Sequence, residues 1–123
     1  MDKCFKAAAK HLKEGDSVAI DNTNADLNIR GHWVVLAQQQ KVPIRCVWFK
    51  TPMPLCEHND AVRALNDHLN PESRNQLPKL AFNVFASRYK EPKMKEGFKD
   101  IFEVDFAFSG SEEEYGVWSK YWV

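Results

Sequence analysis

Residues 17–24 read S-V-A-I-D-N-T-N, a short β-branched and apolar run that ends abruptly in an acid and three small polar residues. A strand covered on both faces carries such a near-continuous apolar run, and in α/β proteins it is usually parallel to its neighbours. Ligands of open α/β sheets sit beyond the carboxyl ends of the strands. Asp21, Asn22 and Asn24 therefore stand where a phosphate, or a phosphate carrying a metal ion, would be held. The partner expected for such a strand end is a G-x-x-x-x-G-K-[ST] loop, whose backbone amides cradle phosphates. None of the five glycines begins one: Gly15 precedes Asp-Ser, Gly31 His-Trp, Gly97 Phe-Lys, Gly110 Ser-Glu and Gly116 Val-Trp.

Outward from this run the pattern is that of an α/β domain. Upstream, Asp2 can cap a helix whose apolar positions Phe5, Ala8, Ala9 and Leu12 follow the i, i+3, i+4, i+7 rule, and Gly15 is placed to end it. Downstream, Asn24 can cap a second helix with Ile29, Trp33, Leu36 and Ala37 on one stripe, broken at Lys41–Pro43. I-R-C-V-W-F at 44–49 then predicts a second strand. Strand, helix and strand so tightly joined predict a right-handed βαβ unit with parallel strands.

Thr51-Pro52 opens a third helix with Leu55, Asn59, Val62 and Leu65 on one face and Glu57, His58 and Asp60 on the other. The polar, proline-punctuated span 66–77 predicts a surface loop of the length that functional lids have. Phe82, Phe85 and Tyr89 recur at helical spacing up to Glu91-Pro92. Phe102, Val104, Phe106 and Phe108 alternate with Glu103, Asp105 and Ala107, the period of a half-buried strand. Ser111 and Glu114 form a capping box, and Tyr115, Trp118 and Trp122 line the last helix. Three strands against about five helices leave a sheet short of neighbours.

The 123 residues match one domain by length. Seventeen basic and seventeen acidic side chains cancel, so no whole-molecule field draws the chain to nucleic acid, and any such contact needs a local patch. No window approaches the roughly 20 apolar residues of a membrane span, and a soluble intracellular protein is expected. Cys4, Cys46 and Cys56 are an odd number at unrelated spacings, which predicts reduced thiols. His11, His32, His58 and His68 stand at no metal-ligand spacing with them, so a zinc site is rejected. Cys46 and Cys56 lie in core-like stretches, where packing outweighs a nucleophilic role.

Several blocks, in order, resemble one family, the kinase domain of polynucleotide kinase 3'-phosphatase in its fungal form. V-A-I-D-N-T-N-A-D at 18–26 resembles the family's strand and D-N-T-N-x-D signature, with Arg30 matching the arginine that follows. K-V-P-I-R-C-V-W-F at 41–49 is similar to its next strand, and L-C-E-H-N-D-A-V-R-A-L-N at 55–66 to its lid helix. F-A-S-R-Y-K-E-P at 85–92, E-G-F at 96–98 and D-F-A-F at 105–108 recur in the same order. Together the blocks cover nearly the whole chain.

The resemblance implies a P-loop-kinase-like parallel sheet with flanking helices, here without the strand that feeds the phosphate loop. It implies ATP-dependent phosphorylation of a 5'-hydroxyl end of DNA or RNA, with Mg2+, in strand-break repair in the nucleus. It places residues 1–123 in the C-terminal portion of the kinase domain, with the phosphate loop, the N-x-D-T carboxylate motif and the phosphatase domain absent. A truncated or remnant chain, inactive alone, is the expectation; its missing N-terminal half would be encoded upstream, and the alternative is a non-catalytic nucleic-acid-binding remnant.

Within that frame Asp21, Asn22 and Asn24 are expected near phosphate and metal, and Arg30, Arg63 and Asn59 are expected to contact polynucleotide or to act in the lid. No residue is assigned as catalytic or as a direct metal ligand. Asp21 would hold a water of the Mg2+ shell, or serve only as a turn acid; Asn24 can equally be an N-cap, and each arginine a solvated or paired charge. The pattern departs at Glu57 and Ala61, where many members carry arginine, and at His32, where a second arginine often follows the acidic segment. Arg63 is then the one arginine on the lid helix.

Overall fold

The computed structural model describes residues 2–65, 70 and 74–120. In chain order these form α1 (Asp2–Lys13), α2 (Leu27–Gln39), β1 (Arg45–Phe49), α3 (Met53–Leu65), α4 (Lys79–Arg88), a 3-10 turn (Met94–Glu96), β2 (Asp100–Val104) and α5 (Glu112–Ser119). The two strands pair with each other in one sheet. They are parallel: the Lys99 N–H donates to the Ile44 carbonyl and the Lys50 N–H to the Val104 carbonyl, each at 2.8 Å. The class is α/β, as the pattern of elements predicts.

By internal contacts the chain divides into two units, Met1–Val47 with Tyr89–Phe102, and Trp48–Arg88 with Glu103–Val123. In the first, the predicted stripe of α1 is realised. Ala8 is buried with Trp33 and Leu36, and Phe5, Ala9, Leu12, Ile20 and Ile44 pack against them. Phe5 and Trp33 meet at 5.8 Å between ring centroids. α1 stops where expected: Gly15 adopts φ +87°, and the Gly15 and Asp16 N–H groups close back on the Leu12 and His11 carbonyls.

Three local expectations are corrected. Residues 17–21 form no strand: no ladder partner flanks them among the described residues, and Val18 is 37% exposed. An apolar run becomes a strand only when a neighbour accepts its backbone hydrogen bonds; here Ile20 alone turns inward, onto the α1/α2 cluster. α2 is capped by Asp26, whose carboxylate accepts the Ile29 N–H at 2.9 Å, and not by Asn24. Asn24 instead takes the left-handed conformation, φ 44°, which a short polar side chain tolerates. The last strand ends at Val104 rather than Phe108, since β1 provides its last rung at Lys50.

In the second unit α3 also departs from its predicted face. His58, Asp60, Ala61 and Val62 are buried, while Leu65 is 59% exposed. Partners decide this: Asp60 accepts the Leu77 N–H at 2.8 Å and the Arg63 guanidinium at 2.7 Å, and His58 lies edge-on to Trp118 at 4.6 Å. A hydrogen-bonded carboxylate is tolerated inside where an unpaired one is not. The Ser111/Glu114 capping box of α5 forms as expected, with Ser111 Oγ accepting the Glu114 N–H and Glu114 accepting the Ser111 N–H. The predicted loop 66–77 falls partly, and His68 and Trp122 wholly, outside the described residues.

Candidate phosphate and polynucleotide site

In the first unit, the segment after α1 delivers Asp21 and Asn22 exposed, followed by a turn whose backbone is tied down. Asn22 Oδ1 accepts the Thr23 N–H at 2.8 Å, and Asn24 Nδ2 donates to the Asn22 carbonyl at 3.3 Å. The Ala25 carbonyl accepts the Lys90 N–H at 2.7 Å, and Asp26 then caps α2. The donor set is oxygen only: one carboxylate and two carboxamides. Hard oxygen donors on an exposed turn suit a cation such as Mg2+, which keeps much of its water shell. Asn24 Oδ1 is a buried acceptor with no hydrogen-bond partner among the described residues, so the exposed donors of the turn are those of Asp21 and Asn22. The residues present fit a hydrated divalent cation. They do not fit the phosphate chain of ATP by themselves, because the sequence has no amide cradle with its lysine.

Arg30 does not face solvent. Its side chain is 5% exposed and forks onto Glu96, itself 6% exposed, with Nε donating to Oε1 at 2.8 Å and Nη2 to Oε2 at 3.2 Å. Its remaining nitrogen, Nη1, donates to the Asn24 carbonyl at 3.0 Å. Asp21, Asn22, Asn24 and Arg30 thus belong to one unit, and Arg30 reaches the turn from behind.

Asn59 and Arg63 belong to the second unit. Both line an open cleft of about 340 Å³ whose walls include Phe106, Phe108, Ser109 and Trp118. Trp118 Nε1 donates to Asn59 Oδ1 at 2.8 Å, fixing the carboxamide, and the Trp118 ring stacks on Phe106 at 5.8 Å. Arg63 is paired with Asp60 through Nη2 and remains 40% exposed. The cleft therefore joins aromatic surface to a cation, the two groups with which single-stranded polynucleotides are held. Glu57, where the family's arginine is expected, pairs with Lys79 at 2.6 Å.

Cys46 and Cys56 carry no nucleophilic signature. Burial pushes the Cys46 thiol up, against the lowering effect of the Arg30 charge and with Glu96 adding to the rise; burial likewise raises Cys56, and Glu57 adds to it. A raised thiol pKa disfavours the thiolate that attacks. Sequence reasoning missed Glu96 and Asp60 as functional neighbours. Asp60 was legible in principle, since Asp60 and Arg63 stand at i, i+3 on a helix. Glu96 was not, because its partner lies 66 residues away.

An AAA domain family matches residues 2–92. The chain is 38% identical over 117 residues to the bifunctional polynucleotide phosphatase/kinase of Schizosaccharomyces pombe, covering 94% of this chain and 28% of that protein, in its C-terminal portion. It is 30% identical over 122 residues to a putative bifunctional polynucleotide phosphatase/kinase of Acanthamoeba polyphaga mimivirus, covering 96% of this chain and 28% of that one. The chain thus spans 28% of the length of these relatives. The resemblance read from the motif blocks is borne out. No helix among the described residues is long and apolar enough to cross a membrane.

Proposed function

This chain belongs to the AAA domain family, and from that premise we propose that it carries the acidic-turn and lid-helix part of a polynucleotide 5'-hydroxyl kinase site. The substrate is the 5'-hydroxyl end of a broken DNA strand, the phosphoryl donor is ATP, and the setting is strand-break repair in the nucleus. The observation that carries this reading is the Asp21–Asn24 turn: Asp21 and Asn22 exposed on a segment whose backbone is held at the Asn24 and Ala25 carbonyls.

In phosphoryl transfer the protein's work is positioning and charge neutralisation. Asp21 and Asn22 would hold the water shell of Mg2+, and that ion, when bound, supplies positive charge against the transferring phosphate. In the second unit Arg63, paired with Asp60, brings a guanidinium to the cleft wall, where Phe106 and Trp118 offer flat apolar faces to bases. Asn59, locked by Trp118, orients the groups beside it. The amide cradle and its lysine are not among these 123 residues, so the chain alone performs no turnover.

Incubation of the purified chain with Mg2+, ATP and a 5'-hydroxyl oligonucleotide is accordingly expected to yield no labelled 5'-phosphate above a no-enzyme control. Label above that control overturns the expectation that the chain alone performs no turnover. A non-catalytic polynucleotide-binding role is the second reading, favoured by the cation beside the aromatic cleft. Under both readings Arg63→Ala weakens binding to single-stranded or nicked DNA and lowers the slope of log affinity against log salt by about 1. No binding of the unaltered chain at low salt removes the polynucleotide contact from both.

A further inference from the structure

The sequence block E-G-F at 96–98 lies far from the acidic turn along the chain, yet its Glu96 meets Arg30 behind that turn. We propose that Glu96 is a positioning residue for the Asp21–Asn24 turn, acting through Arg30 without touching substrate. The proposal rests on the reading of Asp21 as a phosphate-side carboxylate.

The geometry runs in three steps. Glu96 is first fixed by its own short turn, since Oε2 accepts the Lys93 N–H at 2.7 Å while both oxygens accept from Arg30. Two parallel bonds from the guanidinium then orient Arg30 in the plane of the carboxylate, a fork that lysine cannot reproduce. The third bond, Nη1 to the Asn24 carbonyl, transmits that orientation to the turn.

The neighbouring Ala25 carbonyl is held independently by the Lys90 N–H, from the same 89–102 stretch that carries Glu96. Two consecutive carbonyls of the turn are therefore pinned, one by a charge-assisted bond and one by backbone. Asn24 needs the pin: at φ 44° it sits in a conformation that non-glycine residues adopt only when their surroundings impose it. A buried ion pair is commonly replaceable by apolar residues with little loss of stability. Its value here lies in the third bond, which an apolar pair cannot make.

The test is amide hydrogen exchange by NMR on the full chain, comparing wild type with Glu96→Gln and Arg30→Lys. Ile29 and Lys90 are the reporters, because their N–H groups bond to Asp26 and Ala25. Both variants are expected to speed exchange at these two amides by about tenfold or more, as loss of a charge-assisted hydrogen bond implies, while α5 in the other unit keeps its protection. Arg30→Lys retains both charges and so stays readable if Glu96→Gln unfolds. Unchanged exchange at Ile29 and Lys90 in folded Arg30→Lys overturns the proposal.

Titration with Mn2+ separates this from the reading beneath it. In wild type the Asn22 and Thr23 signals should broaden, and Arg30→Lys should need about tenfold more Mn2+, the same fold-change carried to the site. No broadening in wild type discards Asp21 as a metal-side group and the phosphate-side role of Glu96 with it, whereas the exchange result still decides whether Glu96 sets the turn. Equal Mn2+ affinity in wild type and Arg30→Lys counts against the proposal.

Discussion

Glu96→Ala is expected to lower the unfolding free energy by about 3–5 kcal/mol, the usual loss when one partner of a buried ion pair is removed. The guanidinium of Arg30, 5% exposed, would remain inside with its countercharge gone. Domains of this size hold only about 5–15 kcal/mol in total, so the variant stands near the edge of folding. Urea denaturation monitored by tryptophan fluorescence reads the change as a lower midpoint. A loss below about 1 kcal/mol, the range of exposed pairs, would mean that Arg30 and Glu96 are not buried together in solution. The double variant Arg30→Met/Glu96→Leu is expected to recover most of the stability. It would not recover the Asn24 contact, which separates the stabilising role of the pair from its hold on the turn.

Gly97→Ala should be comparably severe, about 2–6 kcal/mol, from two effects that add. Gly97 has φ +116°, a backbone that L side chains rarely adopt, and such strain costs about 1–3 kcal/mol. A Cβ there would also stand 2.8 Å from Val34 Cγ1 on α2, and overpacking of this kind costs about 1–3 kcal/mol more. Val34 is 4% exposed and cannot swing into solvent without opening the core. Gly31→Ala is the control. Gly31 lies within α2 with open space where its Cβ would go, so that change should stabilise by up to about 1 kcal/mol. Thermal unfolding of the two variants side by side checks both, and a Gly97→Ala as stable as Gly31→Ala would remove the close approach from the account. E-G-F thereby acquires physical content: an acid that balances Arg30, a glycine that lets the turn meet α2, and Phe98, 8% exposed, that anchors it.

Helices were legible where apolar spacing and end signals coincide. α1 with Gly15 and α5 with its Ser111/Glu114 box follow from residues within one or two turns of each other. Strand expectations fared less well, because a ladder depends on a neighbour that the sequence does not display. Residues 17–21 have the composition of a buried strand without a ladder partner among the described residues, and the Phe102–Phe108 alternation outlasts the pairing that β1 offers. On α3, period alone put His58 and Asp60 on the polar side, whereas Trp118, Leu77 and Arg63 draw them in.

The candidate site divides along the same line. From the sequence by itself came the α/β class, the acidic turn as the proposed site, the family, and the absence of a phosphate-loop motif from these residues, since each is written in local order and residue type. Only the tertiary structure decided what the charges do. Arg30 and Arg63 look alike in sequence, single arginines on amphipathic helices, yet one is buried against Glu96 to hold Asn24 and the other stays half-exposed at an aromatic cleft. Burying a guanidinium is possible only where a carboxylate and a carbonyl arrive to balance it, and one of those arrives from 66 residues away, a distance over which sequence pattern carries no signal.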